Sequence, residues 1–136
     1  MQPDYLHLTL SDQQLLQMSS LALAHVGDAV YELLTRCRLA QGGDKTNSRL
    51  HRDTVRLVRA TAQAQAARQL LPHLDEEERA VFRRGRNAKP HHVSRASSRE
   101  EYVLATALEA LFGWLYLKGR YERINQLYAL TLPPET

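Results

Sequence analysis

Two acidic residues of this 136-residue chain stand apart from other charges, in segments that are otherwise mostly apolar. Asp28 is the only acidic residue in segment 13–31, and Glu109 is the only one in segment 102–121. No Lys or Arg lies within four residues of either acid. An unpaired carboxylate in an apolar environment costs several kcal/mol or becomes protonated. Both acids therefore need a partner, and a divalent cation shared between them would serve.

The neighbours of the two acids indicate which cation such a site would hold. If both segments are helical, Asp28 projects beside Ala24 and Glu109 beside Gly113, away from the main apolar stripes. Small neighbours leave room for a hydrated ion, and Mg²⁺ suits a site of few protein oxygens because it keeps several waters. Mn²⁺ is the alternative ion. The residues alone leave a second interpretation open, in which each carboxylate caps or hydrogen-bonds a structural group.

The elements that must position these acids are predicted to be helices throughout. Ser11 is a predicted N-cap, with Gln14 as its capping-box partner. A long helix follows and ends near Gly42, and an apolar stripe at spacings of three and four is expected to face the core. We predict that Cys37, at the end of this stripe, is a core residue. The stripe consists of Leu23, Val26, Val30, Leu33 and Cys37.

The second half of the chain continues the helical pattern. One helix is expected to run from Asn47 toward Leu70 without interruption, followed by a shorter helix, a helix over about 99–117 and a last amphipathic helix. Segment 99–117 is apolar on nearly every side, so it belongs at the centre of the fold or in a subunit interface. The expected N-caps are Asn47, Asp75 and either Ser97 or Ser98.

Composition restricts the class of protein. Hydrophobic residues make up 43% of the chain, which suffices for one all-α domain over 1–136 with its core at about 15–130. The single cysteine excludes an internal disulfide and a cysteine-based zinc site, and it fits a reducing compartment. No secretory signal and no apolar segment of membrane-spanning length is visible. We therefore expect a cytoplasmic protein that does not associate with a membrane.

A basic segment lies between the two acids. The net charge is only +3, but segment 80–99 has six Lys or Arg and no acid, directly after the acidic cluster 75–78. One interpretation is that the acids and bases complement the two ends of a helix dipole. The other is that the basic side chains contact nucleic-acid phosphates. The charge pattern alone does not distinguish the two.

Three motifs carry a resemblance to a known family, and they occur in the family's order. Gly-Asp-Ala-Val at 27–30 resembles the first catalytic helix of the ribonuclease III domain, and Glu-Ala-Leu-Phe-Gly at 109–113 resembles the second. Between them, Arg-Gly-Arg-Asn-Ala-Lys at 84–89 and the segment 50–65 are similar to the mini-ribonuclease III branch. The resemblance covers roughly residues 15 to 130, which is nearly the whole chain.

The resemblance implies a helical bundle like the ribonuclease III catalytic domain, working as a homodimer. It implies a divalent-metal-dependent endoribonuclease that cleaves double-stranded RNA, leaves 5′-phosphate and 3′-hydroxyl ends, and matures precursor large-subunit (23S) ribosomal RNA. Asp28 and Glu109 are then the catalytic residues and the ligands of Mg²⁺, with Mn²⁺ as the alternative. A ribosomal protein or the pre-ribosome is a further candidate partner.

The resemblance to the ribonuclease III family also implies roles for other residues. Glu32, one turn after Asp28, and Thr106 are candidates for supporting the metal ligands, although a structural role is favoured for Glu32. The larger ribonuclease III enzymes carry four carboxylates per site, and Ala24 and Thr106 stand where two of them would be. The candidate RNA contacts are Arg83, Arg84, Arg86, Asn87, Lys89 and Arg95, with Lys45, Arg49 and His51 as weaker candidates on the opposite side of the cleft.

Two alternative functions stay open. The two missing carboxylates permit a non-catalytic RNA-binding module in ribosome assembly, which EDTA-sensitive cleavage of a duplex RNA would exclude. The basic segment permits a helical DNA-binding regulator, although no helix-turn-helix recognition pattern is visible. Separate assays with DNA and RNA duplexes would discriminate this regulator from an RNA enzyme.

Overall fold

The computed structural model describes residues 2–88 and 98–133, and every regular element within these ranges is helical. Seven α-helices follow one another there, and a 3₁₀ turn, Leu71–His73, separates the fourth from the fifth. None of the described helices is both long and apolar enough to cross a membrane. The helices are α1 (Asp12–Leu16), α2 (Ser20–Gln41), α3 (Asn47–Val58), α4 (Ala60–Leu70), α5 (Glu76–Asn87), α6 (Arg99–Leu117) and α7 (Tyr121–Leu130).

Local capping determines where several helices begin, as the sequence predicts. At three N-termini, the N-cap side chain accepts a hydrogen bond from the N3 backbone, and the N3 side chain accepts one from the N-cap backbone. The long helix α2 ends at Gly42, and Gly43 adopts a left-handed φ of 110°. The reciprocal pairs are Ser11 with Gln14, Asp75 with Glu78, and Ser98 with Glu101.

The helix predicted from Asn47 toward Leu70 is in fact two helices. Arg59 has an extended backbone (φ −67°, ψ 158°), and it ends α3 while beginning α4. Neither Gly nor Pro marks this break, and packing explains it, because α3 lies against α2 whereas α4 lies against α6. The N-cap also differs from the prediction by one residue. Thr46 rather than Asn47 accepts the hydrogen bond from the backbone N–H of Arg49.

The most apolar helix, α6, occupies the centre of the fold, where it contacts α2, α4, α5 and α7. Its side chains are buried along most of its length, and Leu108, Leu111, Phe112 and Leu115 are fully enclosed. Burial of each such side chain contributes about 1.5–3 kcal/mol. The central position predicted for this helix is confirmed. Because one chain covers it, the apolar character of α6 gives no separate argument for a subunit interface.

The helix α2 buries only part of the face that its apolar stripe predicts, because Leu23 is buried while Val26 and Val30 pack against the core at its edge. Cys37 is exposed, which contradicts its predicted core position, and Leu33 at the same end of the stripe is 54% exposed. The close approach of α2 to α6 centres on Gly27, and the end of the stripe lies to one side of this contact and faces solvent. The residues that α2 buries are Leu23, Ala24, Gly27, Tyr31 and Thr35.

Two glycines allow α2 and α6 to cross with their backbones in contact. A Cβ atom at Gly27 would overlap the carbonyl oxygen of Glu109, and one at Gly113 would overlap the carbonyl oxygen of Leu23. Any other residue at these positions would push the two helices apart. The crossing places Asp28, which follows Gly27, next to Glu109, which lies one turn before Gly113. These are the two lone acids of the sequence.

Candidate active site

Asp28 and Glu109 approach one another at the crossing of α2 and α6. Glu109 is half-buried, whereas Asp28 is exposed. Burial raises the pKa of Glu109 to about 8, and the charge of Asp28 and its hydrogen-bonding contact with Glu109 act in the same direction. A like charge disfavours the ionisation of its neighbour only at short range. The structure therefore brings together the two acids that the sequence singles out.

Neither carboxylate has a cationic partner in the described part of the chain. No Lys, Arg or His of residues 2–88 and 98–133 forms an ion pair with Asp28 or Glu109. Within the same ranges, no third His, Cys, Asp or Glu joins them in a cluster. Two neighbouring carboxylates without a counter-ion offer the oxygen ligands that hard cations prefer. This donor set fits Mg²⁺ or Mn²⁺ that keeps most of its ligands as water.

Gln63 on α4 also lies beside Glu109, although the sequence analysis gave it no role beyond its place in the family-like segment 50–65. Its side chain is 2% exposed. Burial and Asp28 raise the pKa of Glu109, and the neighbouring Gln63 side chain acts in the opposite direction, although its Nε2 forms no hydrogen bond with a described residue. One signal could have indicated its burial: Gln63 lies four residues before Ala67 and seven before Leu70, and both of these are fully buried.

The two residues predicted to support the acids are engaged within their own helices. Glu32 forms an ion pair with Arg36, one turn further along α2, at 3.2 Å. Thr106 is buried, and its hydroxyl donates to the backbone oxygen of Tyr102 at 3.0 Å. These contacts give both side chains a structural explanation. Their support of the acids stays a prediction.

The described basic residues of α5 are exposed, but they face two different sides of the helix. Arg83 and Arg86 line a surface depression of about 260 Å³. Arg84 lines a different depression beside Lys118. Residues three apart share a helix face whereas adjacent residues do not, so α5 presents a divided basic surface. Asn87 is exposed at the end of the helix. Two further predicted contacts lie outside the described residues: Lys89 and Arg95.

Lys45 and His51 lie on a separate surface near α2 and α3. Lys45 forms an ion pair with Asp53 at 3.4 Å, and His51 is exposed in a depression of about 350 Å³ between the two helices. α3 also presents four arginines at spacings of three and four, and we call this set the α3 arginine stripe. Such a stripe suits a phosphate backbone. It consists of Arg49, Arg52, Arg56 and Arg59, the last of which caps the helix.

Comparison with known proteins identifies the class of the chain. Residues 21–120 match the family described as the ribonuclease III domain. The matched range contains both lone acids and both glycines of the helix crossing, and it covers more than half of the chain. The chain is therefore an endoribonuclease of the ribonuclease III class. The all-helical fold predicted from the sequence is confirmed.

Comparison with individual relatives shows which family within this class the chain belongs to. The mini-ribonuclease 3 of Symbiobacterium thermophilum is 45% identical over 82% of this chain and 86% of its own length. That of a Thermoanaerobacter species is 37% identical over 90% of this chain and 87% of its own length. A crystal structure of a Fusobacterium nucleatum protein has a TM-score of 0.79 and 31% identity, covering 85% of this chain and 94% of that one. This chain belongs to the mini-ribonuclease 3 family, as its motifs predicted.

Proposed function

We propose that this chain cleaves double-stranded RNA with a divalent metal ion held by Asp28 and Glu109. The observation that supports the proposal is the pair of neighbouring carboxylates, without a cationic partner in the described chain, at the α2–α6 crossing. A structural ion pair would include a Lys or Arg. A site that needs a cation to offset two like charges suits phosphodiester hydrolysis, because the same cation can contact a phosphate.

Each acid has its own part in the proposed mechanism. Glu109, half-buried on the central helix, is held in place by packing, and it must be ionised to act as a ligand. Asp28 completes the cation site from the solvent side, where a substrate phosphate can approach. When bound, the cation supplies a Lewis acid that activates water and offsets charge on the phosphate. Cleavage leaves 5′-phosphate and 3′-hydroxyl ends.

Exposed basic side chains on two helices are the proposed contacts for the RNA duplex. Arg83, Arg86 and Asn87 on α5, together with the α3 arginine stripe, would contact phosphates and 2′-hydroxyls. Proteins recognise A-form duplexes largely by shape across the minor groove. Because these contacts release counter-ions, affinity should fall as the salt concentration rises. Further candidate contacts are Arg84, Lys89, Arg95, Lys45 and His51.

We further propose that the protein acts as a cytoplasmic homodimer on precursor 23S ribosomal RNA. The outer face of α2 leaves Leu33 and Cys37 exposed, and a second copy of the chain would cover them. A dimer would place two sites along one duplex, one for each strand. A ribosomal protein or the pre-ribosome is the proposed partner that presents the RNA.

Cleavage of a structured RNA by the purified protein tests the proposal. A duplex RNA formed by the paired ends of precursor 23S RNA should be cut in Mg²⁺ and left intact in EDTA. A DNA duplex of the same sequence should not be cut. Asp28→Asn should abolish cleavage while RNA binding and helical content are retained, because the cation site loses a ligand. Glu122→Gln, at an exposed position on α7, is the matched control and should cleave normally.

Three results would contradict parts of this proposal. A normal rate from the Asp28→Asn protein would remove Asp28 from the site. If the wild-type protein bound duplex RNA without cleaving it in Mg²⁺ or Mn²⁺, a non-catalytic RNA-binding module would be the better description. Equal binding of DNA and RNA duplexes without cleavage would favour a DNA-binding regulator.

A further inference from the structure

Gln63 is a buried polar side chain that the proposed mechanism leaves without a role. It lies on the face of α4 that includes Ala67 and Leu70, and α4 packs against α6. Its Nε2 atom is enclosed and has no hydrogen-bond partner among residues 2–88 and 98–133. Buried polar groups normally have partners, because water cannot replace the hydrogen bonds lost on burial. An unpaired amide at this position therefore requires an explanation.

The titratable side chain beside Gln63 is Glu109. Burial and Asp28 raise the pKa of Glu109, and the contact with Gln63 opposes them. An amide N–H can only donate, so it favours the ionised carboxylate over the neutral acid. The ionised carboxylate is also the form that binds a cation. The unpaired donor thus lies beside an acceptor that becomes stronger in the metal-bound site.

We propose that Gln63 is a positioning residue for the metal site, an inference that rests on the proposed function. Its Nε2 donates to one carboxylate oxygen of Glu109, which leaves the other oxygen directed toward the cation and Asp28. Groups behind a metal ligand commonly fix its orientation, and their loss typically lowers metal affinity about 10- to 100-fold. A solely structural Gln63 would pack equally well as an apolar residue of the same length.

Mn²⁺ binding to the purified protein, measured by calorimetry without RNA, tests this role. Gln63→Met keeps the volume of the side chain and removes its amide. We expect Mn²⁺ affinity to fall about 10- to 100-fold, with a melting temperature equal to or above that of the wild type because an unpaired buried amide is removed. Cleavage at limiting Mg²⁺ should fall in parallel and recover in part at saturating Mg²⁺. Gln65→Met, at an exposed position on the same helix, is the matched control and should change neither property.

The outcomes separate this role from the proposed function. If Gln63→Met binds Mn²⁺ as tightly as the wild type, the positioning role is wrong and the metal site stands. If the wild-type protein binds no Mn²⁺, the metal site itself is wrong and the role of Gln63 falls with it. Should Gln63→Met fail to fold, Gln63→Asn withdraws the amide by one methylene and should also lose affinity. Wild-type affinity in that second variant would overturn the role.

Discussion

At the scale of single residues, the pair of acids makes Glu109 costly to ionise. Burial, with the charge of Asp28, raises the pKa of Glu109 from its ordinary 4.5 to about 8. Below pH 4.5 the side chain is neutral in both the folded and the unfolded chain. As the pH rises above 4.5, the unfolded chain ionises first, so the folded chain loses stability until about pH 8. Without a cation, the site therefore destabilises the fold at neutral pH.

Glu109→Gln should stabilise the metal-free protein because the uncharged amide avoids this cost. The gain in unfolding free energy should be absent below pH 4.5 and should level off above about pH 8. At that plateau it should be on the order of 2 kcal/mol, since partial exposure screens the charge. Urea unfolding across this pH range measures the gain. Added Mg²⁺ should stabilise the wild type and not the variant. A variant less stable than the wild type at pH 8 would indicate a structural contact instead.

The sequence reveals a functional residue when its type is unusual for its surroundings whatever the fold. Asp28 and Glu109 are such residues, because a lone acid in an apolar segment needs a partner wherever it lies. Gln63 is not such a residue, because a glutamine in an alanine-rich helix is common. Only the packing of α4 on α6 shows that Gln63 is buried. The core position predicted for Cys37 was wrong because the buried face of α2 runs through Gly27, Tyr31 and Thr35, and Cys37 lies to one side of it.

At the scale of elements, local signals predict where helices begin and not how they cross. The starts of α1, α5 and α6 follow from capping boxes, in which the interacting residues are three apart. The break at Arg59 depends on which neighbour each half of the chain packs against, so no local pattern reveals it. The backbone contact between Gly27 and Glu109 likewise joins distant segments.

Gly27→Ala should separate α2 from α6, because its Cβ would overlap a backbone oxygen that cannot turn aside. We expect a loss of about 1–3 kcal/mol or more in unfolding free energy. Cleavage should also fall where the variant remains folded, since Asp28 and Glu109 move apart. Urea unfolding and the RNA cleavage assay measure the two effects.

Gly42→Ala is the control for this substitution. Gly42 has a φ of −72°, and an added Cβ would lie 3.3 Å from its nearest neighbour, the Leu39 carbonyl oxygen. The unfolding free energy of the Gly42→Ala protein should differ from that of the wild type by no more than about 0.5 kcal/mol. A Gly27→Ala protein as stable as this control would rule out backbone contact between the two helices.

At the scale of the whole molecule, a buried ion pair joins α5 to α7. The Glu78 side chain is 1% exposed and accepts two hydrogen bonds of 2.8 Å from Arg123, which also donates to the backbone oxygen of His73. Burial alone would raise the pKa of Glu78, but the guanidinium and the backbone N–H of Asp75 together hold it below its usual value. This acid, unlike Glu109, has a complete set of partners and belongs to the fold.

Arg123→Met should leave the buried Glu78 carboxylate without its ion-pair partner, so that only the Asp75 backbone N–H and the charge of Arg120 stabilise it. We expect a loss of about 3–5 kcal/mol in unfolding free energy at neutral pH. Because the folded-state pKa of Glu78 is lowered, the stability that the pair contributes is lost as the pH falls through that pKa. The difference between variant and wild type should therefore shrink in acid, which urea unfolding at several pH values would detect. Arg79→Met, exposed on α5, is the control, and equal stability of both variants would mean that the pair contributes nothing.

The part of the overall architecture that could be predicted from the sequence is the central position of one helix, α6. A helix that is apolar on nearly every side lies at the centre of a small domain, and α6 does so. The homodimer stays a prediction, because the chain covers α6 by itself. The exposed Leu33 and Cys37 on α2 are the residues on which a partner subunit would now be sought.

An anomalous difference map from crystals soaked in Mn²⁺ tests the carboxylate pair most directly. We predict a peak between the Asp28 and Glu109 carboxylates at the α2–α6 crossing, and no peak there in crystals of the Asp28→Asn protein. The absence of that peak at saturating Mn²⁺, in protein that cleaves duplex RNA, would contradict the assignment of these two acids as the metal site.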